Sequence, residues 1–209
     1  SIGAKTKALE KFEKAIEINP DNQDIVVDYG KTLAKYEKNQ EAVDVFNKAL
    51  SIDSTNADAH CALADTYMKD KEYDKAILEY QKASQLVPDN ESVLIKLGNA
   101  YKAKSETKNA LDMYQKVIFK NLKNTDAMFN AGLCYAELND NNNAIKSFKN
   151  VIAIDPNYAY AYYALGMAYE NEKNYPESIA NYEKFMTLTD DNETKAQVKN
   201  QIEYLKNKK

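Results

Sequence analysis

The residue types that perform chemistry are few in this 209-residue chain, and their spacing is wrong for it. There are two cysteines, Cys61 and Cys134, and a single histidine, His60. A structural zinc ion needs four nitrogen or sulfur ligands in closely spaced pairs, which two distant thiols and one imidazole do not supply. Both cysteines therefore read as small apolar core residues. The 32 carboxylates are interleaved with lysines, the pattern of solvated helix faces. No glycine-rich phosphate loop, nucleophile elbow or oriented base is present. The expectation is a chain with no catalytic, cofactor-binding or metal-binding residues, and not an enzyme.

The basic residues exclude a further class. All 28 are lysine, so the bidentate guanidinium forks that hold phosphate or carboxylate are missing. With a net charge of −4, nucleic acid is not an expected partner. No apolar run approaches the roughly 18 residues of a spanning helix, so membrane insertion is not expected. The chain lacks an initiating Met, which points to a piece of a longer protein and leaves the compartment open, with a soluble cytoplasmic setting as the default.

The positioning elements repeat. Only five glycines and four prolines stand among many Ala, Lys, Glu and Leu, which favours helix over strand. Ala8, Ala42, Ala76, Ala110 and Ala144 recur every 34 residues, with Ser178 completing the series. Four residues after each stands an aromatic: Phe12, Phe46, Tyr80, Tyr114, Phe148, Tyr182. Gly30, Ala64, Gly98, Gly132 and Gly166 form another row, and Tyr67, Tyr101, Tyr135 and Tyr169 another. Within a unit, "NADAHCALADTYMKD" and "YDKAILEYQKASQLV" both carry apolar residues at helical spacing, and "KDKEY" between them is a polar turn. Small residues sit where two helices cross closely, and Pro20, Pro88 and Pro156 end second helices.

The pattern L-G/A-x-x-Y…A-x-x-x-Y/F-x-x-A…P at this period resembles the tetratricopeptide repeat, with "ALADTYMKDKEYDKAILEYQKASQLVPDN" its nearest copy. The resemblance implies an all-α, right-handed α-solenoid (superhelix) of antiparallel helix pairs that binds protein or peptide. It divides the chain into a second helix of a truncated repeat (1–22), five tandem units (23–56, 57–90, 91–124, 125–158 and 159–192) and a C-terminal capping helix (193–209). Where the family usually has Trp, the first helices carry Val26, His60, Leu94, Met128 and Tyr162, so His60 reads as a packing substitute. Ser54, Leu122 and Asp190 replace the turn proline. At the C-terminal end Asp190 and Glu193 stand in capping-box spacing ahead of a helix whose stripe is Val198, Ile202 and Leu205. At the other end the face of Phe12 and Ile16 lacks a partner helix, which suggests truncation or self-association through that open N-terminal face.

In this family the first helices line the concave surface. Helical geometry then selects a two-toned groove. Its first half mixes Lys31, Lys35 and Lys69 with Asp58 and Asp65. Its second half is an apolar strip of Ile95, Phe129, Leu133, Tyr160, Tyr163 and Met167, suited to an amphipathic helix or an apolar peptide. Packing between neighbouring first helices is the simpler role for Val27, Cys61 and Ile95, and binding for Phe129, Tyr160 and Tyr163. Asp24, Asp58, Ser92 and Asp126 read as first-turn residues that offset the helix dipole, a row that Tyr160 breaks. The Lys and Arg set with which some members of the family clamp a C-terminal carboxylate is absent from these rows. The expected function is a protein-interaction module, adaptor or scaffold in complex assembly. The alternatives are a self-associating structural scaffold and the substrate-recruiting domain of a longer enzyme.

Overall fold

The computed structural model describes residues 2–208, and among them it contains twelve α-helices and no strand. The chain divides into two compact units, 1–106 and 107–209. The first holds α1 (Ile2–Ile18), α2 (Gln23–Lys35), α3 (Asn39–Ile52), α4 (Ala57–Lys69), α5 (Tyr73–Leu86) and α6 (Glu91–Ala103). The second holds α7 (Thr107–Lys120), α8 (Thr125–Glu137), α9 (Asn141–Ile154), α10 (Ala159–Asn171), α11 (Tyr175–Leu188) and α12 (Asn192–Lys206). Each helix packs on the next within its unit, and α2 also lies beside α4, and α8 beside α10.

Two backbone devices recur with the sequence period. The residue before α2, α4, α6 and α8 is Asn22, Asn56, Asn90 and Asn124. Each Asn side-chain oxygen accepts from the amide three residues on, at Ile25, Ala59, Val93 and Ala127. An Asn at this position satisfies a helix-start donor that would otherwise lack a partner. Tyr158 occupies the same place before α10 and makes no side-chain cap. The second device closes the helix pairs. Glu37, Lys71, Ser105, Asn139 and Lys173 have φ between 58° and 64°, and the following amide reaches back to the carbonyl five residues earlier, as in Asp140 to Tyr135 at 2.8 Å. This is a Schellman closure built without glycine.

The recurrent small residues serve close approach. A Cβ placed on Gly30 would stand 2.6 Å from Phe46 Cε1, and one on Gly132 would stand 2.5 Å from Phe148 Cε1. Phe46, Phe148 and Tyr182 thus lie close against the bare backbone of the partner helix. Phe46, Tyr80, Tyr114, Phe148 and Tyr182 are all buried. The apolar stripe Val198, Ile202 and Leu205 of α12 covers Tyr182 and Phe185. The α12 cap corrects one expectation. Asp191, not Asp190, is the capping residue, and its carboxylate accepts from the amides of Glu193 and Thr194.

His60 does more than fill space. It is 5% exposed and its Nδ1 lies 2.6 Å from Glu79 Oε2, while Nε2 lies 3.1 Å from the Ser54 carbonyl. Both ring nitrogens therefore have a polar partner. Glu79, itself 8% exposed, also accepts from Lys82 at 2.8 Å.

Candidate functional site

In the first unit, α2, α4 and α6 carry the expected charged face. Lys31 Nζ stands 2.5 Å from Asp58 Oδ2, tying α2 to α4, and Lys96 Nζ stands 2.6 Å from Asp65 Oδ2, tying α4 to α6. The Tyr80 hydroxyl donates to the other oxygen of Asp65. Lys31, Asp58, Asp65 and Lys96 border a cavity of about 510 Å³ together with Cys61 and Lys69. Lys69 spends a donor on the scaffold, reaching the Ala34 carbonyl at 2.9 Å, where it caps the end of α2. Lys35 is exposed in the last turn of α2 and does not border the cavity. Val27 is buried, and Cys61 and Ile95 are half-buried. Burial first of all, against a partly offsetting pull from Lys96, pushes the Cys61 thiol up to about 11. Lys96 is an addition to the expected face. It follows Ile95 directly, one step further round the same helix.

In the second unit the expected apolar residues divide between scaffold and surface. The Phe129 ring lies 5.7 Å from that of Phe148 and 5.2 Å from that of Tyr158. Leu133 packs against the cluster of Ala144, Phe148, Ala164 and Leu165. Tyr163 lies 5.2 Å from Phe185 and 5.9 Å from Tyr182. Edge-tilted rings at such separations are stabilising contacts in themselves, so the inner faces of these side chains hold the helices together. Tyr160 and Met167 differ, at 48% and 47% exposed. The Tyr160 ring leans on Phe185 at 5.8 Å with its hydroxyl 3.5 Å from Asp191.

Tyr163 and Met167 open onto a cavity of about 310 Å³ that Glu170, Asn171, Gln197 and Gln201 close on the polar side. Gln201 Nε2 donates to Glu170 Oε1 at 2.6 Å, and the Tyr182 hydroxyl donates to Glu170 Oε2 at 3.2 Å. Burial, reinforced by the Glu170 carboxylate, raises the Tyr182 phenol well above its ordinary value and keeps it a donor. Such a cavity offers an apolar wall from α10 and amide groups from α12, the chemistry that receives an apolar side chain and the polar backbone beside it. The part played by α12 was not read from the sequence, where Gln197 and Gln201 belong to the polar face of a cap. Among the described residues no group of three or more His, Cys, Asp or Glu is arranged to hold a metal ion.

Comparison with known proteins agrees with this architecture. Residues 1–94 match the family model described as the cytochrome c-type biogenesis protein H TPR domain. Residues 132–173 match a TPR repeat model and residues 159–192 a tetratricopeptide repeat model. No curated protein matches the sequence. Among solved structures, YrrB, described as a TPR protein with an unusual peptide-binding site, superposes with a TM-score of 0.77 at 26% identity. That match covers 92% of this chain and 99% of the other. A MamA structure matches with a TM-score of 0.75 at 26% identity over 84% of this chain and 94% of the other. With the helix pairs described above, these likenesses make the fold an all-α solenoid of helix pairs.

Proposed function

We propose, for a chain that belongs to the tetratricopeptide repeat family, that its first-helix faces hold a peptide or amphipathic helix of a partner protein and so act as an adaptor in a larger assembly. The family is one of protein-interaction modules, and the finer reading rests on one observation. Tyr160 and Met167 are large apolar side chains left half exposed, and Met167 borders a cavity that is apolar on one wall and amide-rich on the other. Half-exposed anchors beside a cavity are where a partner gains most from burial. YrrB, whose description names a peptide-binding site, supports the same reading.

The division that fits this role is a leading helix through residue 22, units at 23–56, 57–90, 91–124, 125–158 and 159–192, and the closing helix 193–209. Tyr160, Tyr163 and Met167 take the apolar anchor, with Phe129 and Leu133 extending the strip along α8. In the first unit Lys31, Lys69 and Lys96 alternate with Asp58 and Asp65, so a segment lying there must offer both signs of charge. Ile95 adds an apolar contact beside Lys96, and Lys35 a cation at the rim.

The test uses the exposed pair, whose replacement leaves the core intact. Tyr160→Ser with Met167→Lys is expected to keep its helical circular dichroism and to lose partner capture from lysate, read by mass spectrometry. Capture that is unchanged in the double variant would rule out the second-unit groove.

A further inference from the structure

The five residues 119–123, FKNLK, at the end of α7 and in the turn after it, break the repeat at four places. Phe119 stands where the other copies carry Glu17, Ser51, Gln85, Ala153 and Thr187. Lys120 replaces a row of Ile18, Ile52, Leu86, Ile154 and Leu188. Leu122 replaces Pro20, Ser54, Pro88, Pro156 and Asp190, and Lys123 replaces Asp21, Thr55, Asp89, Asn157 and Asp191. In the next second helix Lys146 stands in a row of Glu10, Asp44, Leu78, Asp112 and Ala180. Here, then, a mostly polar position and a mostly proline one take large apolar side chains, and apolar, neutral or acidic ones become basic.

The structure brings three of these departures to one place, and Lys123 follows one of them, Leu122, in the chain. Phe119 is 87% exposed and Leu122 is 71% exposed, and with Lys146 they border a groove of about 360 Å³ among α7, α8 and α9. Ile118 and Met128 form part of its apolar wall, and Gln115, Asn143, Ser147 and Asn150 line it with amide and hydroxyl groups. Among the described residues no Asp or Glu borders it. None of its residues belongs to the face of Phe129, Tyr163 and Met167.

We propose that this outer groove is a second docking site, and that it takes a short acidic segment of a partner protein with one or two large apolar anchors. The anchors cover Phe119 and Leu122, and the acidic side chains pair with Lys123 and Lys146. Charge decides the sign of the occupant, since Lys123 and Lys146 each stand where three of five sister copies carry an acid, in a chain that is acidic as a whole. The amide lining decides its class. Gln115 and Asn143 each donate within the chain, to Tyr135 and Asp140, and their remaining amide atoms with those of Asn150 and the Ser147 hydroxyl give a peptide backbone its hydrogen bonds, whereas lipid chains would leave these unmet.

The probe is a fluorescein-labelled peptide of Glu and Ala carrying one Trp and one Leu a helical turn apart, followed by anisotropy against the full chain. A counterpart has every Glu replaced by Lys. The acidic peptide is expected to bind at least about tenfold more tightly than the counterpart. Phe119→Gln, and Lys123→Asp with Lys146→Asp, which restore residues found in sister copies, are each expected to weaken it about tenfold or more with unchanged circular dichroism. Met167→Lys leaves this binding unchanged, which separates the site from the inner groove. Equal binding of the two peptides, or binding indifferent to these variants, overturns the proposal. So does Phe119-dependent sedimentation with phosphatidylserine vesicles in the absence of peptide binding, which makes the surface a lipid contact. Phe119-dependent self-association without peptide binding overturns it in favour of a second copy of the chain.

Discussion

Gly132→Ala is the substitution on which local preference and packing disagree most sharply. Gly132 lies inside α8, where alanine is favoured over glycine by roughly 1 kcal/mol through helix propensity and the freedom of the unfolded chain. Against this, the new methyl would stand 2.5 Å from Phe148 Cε1, 2.9 Å from Cδ1 and 3.0 Å from Cζ. Carbon contacts are optimal at about 3.5–4.0 Å, so ring and helix must part by about 1 Å. The ring has little room to yield, because Phe148 is 1% exposed and faces Phe129 at 5.7 Å. Overpacking of this kind costs about 1–3 kcal/mol, which leaves a net loss of about 1 kcal/mol. Because repeat arrays need not unfold in one step, the measurement pairs urea unfolding by circular dichroism with native-state hydrogen exchange of the α8 and α9 amides. A lower midpoint with faster exchange in those two helices is expected. A variant as stable as the parent, or more so, would show that Phe148 is free to move and that the close approach does not set the glycine. The inverse change makes a useful companion. Ala64, in the same register, is fully buried, and Ala64→Gly forfeits both propensity and a buried methyl, a loss of about 1.5–2 kcal/mol. Opposite substitutions in equivalent places then both destabilise.

Three further outcomes follow from the same packing. His60→Leu removes the ring facing Glu79 Oε2 and leaves that buried carboxylate with Lys82, at a cost of about 2–4 kcal/mol by thermal unfolding, whereas Glu79→Gln keeps a hydrogen bond to the ring and costs less; equal losses count against a specific pair. Cys61, with its thiol pushed up to about 11, stays protonated at pH 8 and is alkylated by iodoacetamide roughly a hundredfold more slowly than free cysteine, its rate rising until about pH 11; a rate near that of the free amino acid at pH 8 refutes the burial argument. Asn124→Ala removes the cap of α8 and costs about 1 kcal/mol, while Asn124→Ser, which can still accept from Ala127, is expected to cost less than half as much in the same denaturation assay.

The features that were legible in the sequence repeat and are apolar. Gly132 and Phe148, or Gly166 and Tyr182, recur because a helix crossing demands a small residue against a ring, so their period gives the helix pairs. The Asn22–Asn124 cap row has the same period and was equally readable, but the Asp residues two places on drew the capping role to themselves. The Glu37–Lys173 turn row was hidden for another reason. A left-handed residue is usually betrayed by glycine, and here five residues of four other types accept the strain. At the candidate sites the sequence gives which residues share a helix face, and not how much of each remains exposed. Tyr160 and Tyr163 are three residues apart, yet the second is pressed onto Phe185 and Tyr182 while the first stays half open. Lys69 shares the groove-facing side of its helix, but its bond to the Ala34 carbonyl depends on the spacing of α2 and α4.

The joint return of the asparagine cap and the left-handed turn has a consequence for changes in chain length. An insertion or deletion of one whole period returns every cap and turn to an equivalent place. A change of a few residues inside a helix separates the cap from its amide and the ring from its glycine at once. The coding sequence of such a chain should therefore gain or lose length in steps of 34 residues and tolerate little in between.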